Sequence, residues 1–208
     1  LQLDYLDLLL MHWPFATNPE TGYDGFNTED IENVPIMDTW KEMEALVDKG
    51  KARAIGVSNF NMTILEKMLP QCRIVPAVNQ IEVHPYCQQP ELVEFCKSHD
   101  ILVTGYCPLG GTKINVMDDD MINRIAEAHA GTPAQVALSW SLARGIAVIP
   151  KSNNPTRLKQ NLKILTLTSD EMRMIGKIQK HERKVDPSRD HESLKWVFHP
   201  DEAQCPVI

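Results

Sequence analysis

Strand-length apolar runs alternate with helix-period segments along the whole chain, and this alternation predicts a parallel α/β fold. Two further observations narrow it. No glycine-rich GxGxxG turn follows an early strand, which argues against a doubly wound open sheet. The 208 residues hold five strand–helix units, whereas a complete (β/α)8 TIM barrel takes eight units and about 250 residues. The expected architecture is therefore the C-terminal five β/α units of such a barrel, as one domain over residues 1–208.

The units follow in order. Leu6 to Trp13 reads as a buried strand, followed by a Gly/Asn/Asp-rich loop at about 15–35 that contains Tyr23 and Phe26. Pro35 suits the first turn of a helix whose Met37, Trp40, Met43, Leu46 and Val47 share a face, and Gly50 ends it. Ala54 to Ser58 is the second strand, and Asn61 caps a helix carrying Ile64, Leu65, Met68 and Leu69. A strand over Val75 to Val83 leads to a helix over Pro90 to Ser98, and a strand over Leu102 to Cys107 leads to one over Asp118 to His129. Thr132-Pro133-Ala134-Gln135 has capping-box spacing ahead of Val136, Ala137 and Trp140. Ile146 to Ile149 is the last strand, and Asn154-Pro155 opens a short helix. Thr168 to Glu171 forms a second capping box, and an irregular polar tail at about 182–208 carries Trp196 and Phe198.

Composition excludes several classes of function. A formal charge of -7 argues against nucleic acid as a partner, because a phosphate-binding surface needs a basic excess. No window approaches the roughly 20 apolar residues of a membrane span, and no signal-peptide pattern opens the chain. Cys72, Cys87, Cys96, Cys107 and Cys205 are widely spaced and form no CxxC. They read as free thiols of a reducing, cytoplasmic compartment, and no metal site is assigned. The chain opens at Leu1 without an initiator Met and runs directly into a strand, which reads as a partial chain.

Polar residues gather at strand ends: His12, Ser58 with Asn59, Gln80 with Glu82, Tyr106, and Lys151 with Ser152. Barrel enzymes build their sites there, so one shared mouth is expected. Lys151 and Ser152 follow the last strand behind a buried Ile149-Pro150 lead-in, with Arg157 in the first turn of the next helix. Free N–H groups, a point charge and a guanidinium fork make this an anion site. Tyr106 suits either stacking on a flat heterocycle or a place in the core. Asn59 and Gln80 are amides that fit a carboxamide, and His12 is either structural or catalytic, beside the apolar wall of Trp13.

These residues resemble those of the aldo-keto reductases. The similarity rests on Met43 through Phe60, ending Ile55-Gly56-Val57-Ser58-Asn59-Phe60, on Ile149 through Ile164, and on Met11-His12-Trp13-Pro14. Val83-His84-Pro85-Tyr86 and the tail Asp201 to Pro206 look similar as well. The resemblance implies a (β/α)8 barrel that reduces an aldehyde or ketone, such as an aldose or other small carbonyl, with NADPH; NADH is also possible. It implies that Ser58, Asn59 and Gln80 hold the nicotinamide carboxamide, that Tyr106 stacks on its ring, and that Leu109, Gly110 and Gly111 line the pyrophosphate. Lys151, Ser152, Asn153 and Arg157 would take the 2′-phosphate, and Gln160 and Asn161 the adenine, with Gln160 standing where many members have Glu. His12 would orient the substrate carbonyl, and Trp13 would form a pocket wall.

One departure matters. The family's proton donor is a Tyr assisted by a Lys and an Asp, and no residue of this sequence matches that set. Tyr5 precedes a strand, and Tyr23 has no nearby Lys. The chain alone is therefore expected to be inactive as a reductase. Two alternatives stand beside the reductase: a non-catalytic nicotinamide-cofactor-binding module, and a non-redox barrel that uses the anion site for a sugar phosphate.

Overall fold

The computed structural model describes residues 2–18, 31–111, 114–189 and 192–198. In chain order it contains β1 (Leu6–Met11), β2 (Ala16–Thr17), β3 (Ile31–Glu32), α1 (Ile36–Asp48), β4 (Ala52–Ser58), α2 (Met62–Met68) and β5 (Val78–Glu82). Then come α3 (Pro90–Ser98), β6 (Leu102–Tyr106), α4 (Asp120–Ala128), α5 (Pro133–Ala143), β7 (Ala147–Val148), α6 (Pro155–Asn161), α7 (Ser169–Gly176) and α8 (Lys195–Phe198). Among the described residues, no helix is long and apolar enough to cross a membrane. The chain divides into two compact units. The first comprises Leu1–Asn79, Glu94–Ile101 and Asp186–Ile208, and the second comprises Gln80–Val93 and Leu102–Val185.

In the first unit the strand order is β1-β4-β5, with β1 parallel to β4 and Leu9 opposite Ile55. A side chain at Gly56 could not fit: its Cβ would stand 2.6 Å from the Val78 carbonyl and 2.8 Å from Leu10 Cδ2. The missing Cβ is what lets β4 lie so close to its neighbours. Trp40, Ile55, Phe60, Ile64, Leu65 and Met68 fill the core beneath, each under 2% exposed. Asn61 caps α2 as its position predicts, accepting from Ile64 N, and its Nδ2 donates to the Trp196 and Val197 carbonyls. Gly50 takes the left-handed conformation that ends α1, with Gly50 N donating to Val47 O and Lys51 N to Leu46 O.

The structure departs from the sequence expectations at β1, at β5 and in the loop after β1. β1 is not a buried strand: it ends the strand order, and Leu8 is 39% exposed. The third strand begins at Val78, not Val75, because Pro76 has no N–H to give a ladder. The expected loop carries a short antiparallel pair, Ala16 opposite Glu32 and Thr17 opposite Ile31; Tyr23 and Phe26 lie outside the described residues.

In the second unit the order is β5-β6-β7, with β6 parallel to β7. Ile122, Leu138, Trp140, Ile146 and Ile175 are its largest buried side chains. Both expected capping boxes form, at Thr132/Gln135 and Thr168/Glu171. Asp119 replaces Asp118 as the start of α4, because its carboxylate accepts from Met121 N and Ile122 N. The last strand is only Ala147–Val148, so Ile149 is half exposed, at 49%, rather than buried. The described cysteines, Cys72, Cys87, Cys96 and Cys107, are free thiols.

Candidate functional site

In the first unit, β1 ends at Met11 and delivers His12 to the surface at the next position. Trp13 stacks against both His12 and Phe15, at centroid distances of 5.3 and 5.6 Å, and meets Phe198 edge-on at 6.0 Å. A tail aromatic thus helps fix the wall expected of Trp13. Asn59 sits just beyond β4 at φ 63°, a left-handed conformation that Asn tolerates better than most residues. That turn aims its Nδ2 at the His12 carbonyl (3.0 Å) and at Ser58 Oγ (3.3 Å). Ser58 and Asn59 are almost wholly buried. The unit therefore brings His12, Trp13, Ser58 and Asn59 together, with Asn59 tying the end of β4 to the end of β1.

In the second unit, Gln80 lies in the middle of β5, and Glu82 ends it. Tyr106 ends β6, half-buried; burial pushes its phenol strongly up, and the charge of Glu82 adds to the effect. Such a phenol stays neutral and protonated, and its ring is the part it offers a ligand. Beyond it, Leu109 is half-buried, and Gly110 and Gly111 take φ of 78° and 68°. At Gly110 a Cβ would stand 2.6 Å from the Ile114 carbonyl, so this turn needs glycine for space as well as for φ.

Lys151, Asn153 and Arg157 are exposed, while Ser152, Gln160 and Asn161 are half-buried. The helix start differs from the expected cluster of free N–H groups. Asn154 Oδ1 accepts from Thr156 N and Arg157 N, and Asn154 N donates to Ser152 Oγ. With Pro155 lacking an N–H, an anion here would be met by the Lys151 and Arg157 side chains more than by the backbone. Gln135 Nε2 donates to the Gln160 carbonyl and pins the end of α6 to the start of α5.

Two clusters take a form that the sequence did not show, the first at Glu82, expected at the mouth of the barrel but wholly buried. Its Oε1 accepts from His84 Nε2 (2.8 Å) and Lys184 N (2.7 Å), and its Oε2 from Val185 N (2.8 Å). Tyr86 N donates to His84 Nδ1, so that nitrogen carries no proton and Nε2 is the donor to Glu82. Burial raises the Glu82 pKa, but the His84 bond and the two backbone bonds outweigh it and hold the carboxyl below its ordinary value. A carboxylate two residues before a histidine at a strand end was the available signal. Its partners a hundred residues later left no trace in spacing.

The second cluster has the residue types of the expected proton donor. Tyr86 Oη donates to Asp119 Oδ2 (2.8 Å) and accepts from Lys180 Nζ (2.9 Å), which also lies 3.7 Å from Asp119. Its chemistry is wrong for an acid. Burial is the main influence on the Tyr86 phenol and raises its pKa; Lys180 opposes this, while Asp119 adds to it, and the net shift is upward. Tyr86 is only 2% exposed, and its proton is already committed to a carboxylate. It is a staple, holding the loop after β5 to the start of α4.

Comparison with known proteins bears on the family of the chain. The profile of the Aldo/keto reductase family matches residues 1–180. The chain is 43% identical over 182 residues to a D-galacturonate reductase of Hypocrea jecorina, covering 85% of this chain and 59% of that protein. It is 40% identical over 210 residues to an NADH-dependent D-xylose reductase of Candida parapsilosis, covering 90% and 65%. Among solved structures, an aldo-keto reductase of Bombyx mori in complex with NADP superposes with a TM-score of 0.81 at 34% identity, covering 90% of this chain and 62% of that one. The chain thus spans less than two thirds of the length of each of these relatives. By the family profile and these identities, with the parallel α/β fold in agreement, the chain belongs to the aldo/keto reductase family.

Proposed function

We propose that this chain serves the NADPH-dependent reduction of an aldehyde or ketone, an aldose or other small carbonyl, to its alcohol. The observation that carries the reading lies within the second unit: a neutral half-buried Tyr106 ring, a left-handed glycine turn at Gly110 and Gly111 with Gly111 exposed, and exposed cations at Lys151 and Arg157. Ring, pyrophosphate and 2′-phosphate are the three parts of NADPH that such groups suit. In this reading Ser58, Asn59 and Gln80 hold the carboxamide, Tyr106 stacks on the ring, and Leu109 and Gly111 line the pyrophosphate. Lys151, Ser152, Asn153 and Arg157 take the 2′-phosphate, and Gln160 and Asn161 the adenine. The nicotinamide, when bound, supplies the hydride. His12 orients the carbonyl, and Trp13 excludes water beside it.

NADPH is favoured over NADH by the two cations, and one relative named above is NADH-dependent, so dual use fits the family. We place the chain in the cytosol, a reducing compartment that its free thiols suit. We read the chain as β/α units of a TIM barrel and assign the proton donor to none of its residues. The orientation of the Tyr86 cluster favours, as a second reading, a non-catalytic module that binds the cofactor.

The test is consumption of NADPH by the intact protein with a panel of aldoses and small aldehydes. Consumption with an alcohol product supports the reductase. Binding without consumption supports the module, and absence of both binding and consumption refutes both readings.

A further inference from the structure

Lys184 stands at a place that the sequence did not single out. Its backbone N–H is fixed by Glu82 Oε1 at 2.7 Å, and the next N–H, of Val185, by Oε2 at 2.8 Å. With two successive amides held by a buried carboxylate, the side chain between them leaves in a set direction. That direction is across the glycine turn. A Cβ at Gly111 would meet Lys184 Cδ at 2.5 Å, Nζ at 2.6 Å and Cε at 2.9 Å, so the end of the lysine lies directly on the Gly111 backbone.

The ammonium is also felt at the other end of the turn. Burial raises the Cys107 thiol pKa, and the Lys184 charge is the chief influence opposing it. Lys184 is half-buried, and among the described residues no carboxylate lies within salt-bridge distance of it. Of the two left-handed glycines beneath it, Gly110 is buried with its N–H donating to the Cys107 carbonyl, while Gly111 is exposed and shares its place with the Lys184 ammonium.

We propose that Lys184 is a phosphate-binding residue of the cofactor site, clasping the pyrophosphate against the Gly110–Gly111 turn, and that Glu82 is the positioning residue that aims it. The inference rests on the nicotinamide reading above and assigns to the pyrophosphate a side-chain cation where that reading had only backbone. Its consequence separates it from Lys151 and Arg157. The pyrophosphate is common to NADPH and NADH, whereas the 2′-phosphate is not. Lys184 therefore strengthens binding of both nucleotides equally.

The experiment titrates the intact protein with NADPH and with NADH, following quenching of its tryptophan fluorescence, for wild type, Lys184→Met, Lys184→Arg and Lys151→Met. Lys184→Met is expected to weaken both nucleotides by a similar factor, about tenfold, the scale of one charge-assisted contact. Lys184→Arg keeps the charge and restores most of the affinity, and Lys151→Met weakens NADPH alone. Three results overturn the inference while leaving the cofactor reading intact: unchanged affinities in Lys184→Met, loss of NADPH only, or no rescue by Lys184→Arg. If wild type binds neither nucleotide, the cofactor reading itself fails and the inference falls with it.

Discussion

Replacing Glu82 by Gln changes one atom at the centre of the second unit, and the geometry around it fixes the consequence. The carboxylate serves three N–H donors: His84 Nε2 and Lys184 N on one oxygen, Val185 N on the other. An amide can keep its oxygen toward the first two. Its NH2 group then faces Val185 N, donor against donor, at a contact that is now 2.8 Å. One buried N–H is orphaned and the charge assistance of the other two bonds is lost, which costs about 2–4 kcal/mol. Urea unfolding at neutral pH measures this directly, and amide exchange at Val185 should accelerate by more than the global change.

The pH dependence has a fixed sign. Glu82 has a folded pKa below its ordinary 4.5, so its contribution is fully present above that value and is lost as pH falls through the folded pKa. The stability gap between wild type and Glu82→Gln is therefore constant from neutrality down to about 4.5 and narrows only below it. A variant within about 0.5 kcal/mol of wild type, or a gap that closes between neutrality and 4.5, would refute the reasoning.

Other substitutions test other parts of the account. Gly56→Ala drives a methyl into the Val78 carbonyl and Leu10, and should lower stability by about 3 kcal/mol in a thermal melt; a shift under about 1 kcal/mol would mean that β4 has room to spare. Asn61→Ala removes the α2 cap and two bonds to the Trp196 and Val197 carbonyls. We expect a loss of about 2 kcal/mol and early proteolysis near those residues, and tail cleavage at the wild-type rate would contradict this. Tyr86→Phe should cost about 1–2 kcal/mol of stability and leave turnover within about twofold, whereas a hundredfold fall in kcat would make this phenol the proton donor after all.

The alternation of runs made the α/β class legible, and the caps at Asn61, Thr132 and Thr168 were legible because their partners lie three residues away. Features decided by distant parts of the chain were not. The exposure of Leu8, 39%, and Ile149, 49%, depends on contacts across strands, which no local pattern encodes. The expected anion site meets a local competitor: Lys151 and Arg157 are exposed about the start of α6, but Asn154, chosen as a helix opener, takes up the N–H groups that were expected to face the anion. Glu44 shows the same limit. It sits on a helix that reads as amphipathic, yet it is buried because Arg73 N and Ile74 N donate to it across 29 and 30 residues.

The proposed reaction is hydride transfer from a nicotinamide cofactor to a carbonyl. Incubating the intact protein with NADPH deuterated at the transferable position and an aldose, then weighing the alcohol by mass spectrometry, tests it most directly. Hydride transfer leaves one deuterium on the carbinol carbon of the product. An unlabelled product, or bound cofactor that never gives up its deuterium, would contradict it.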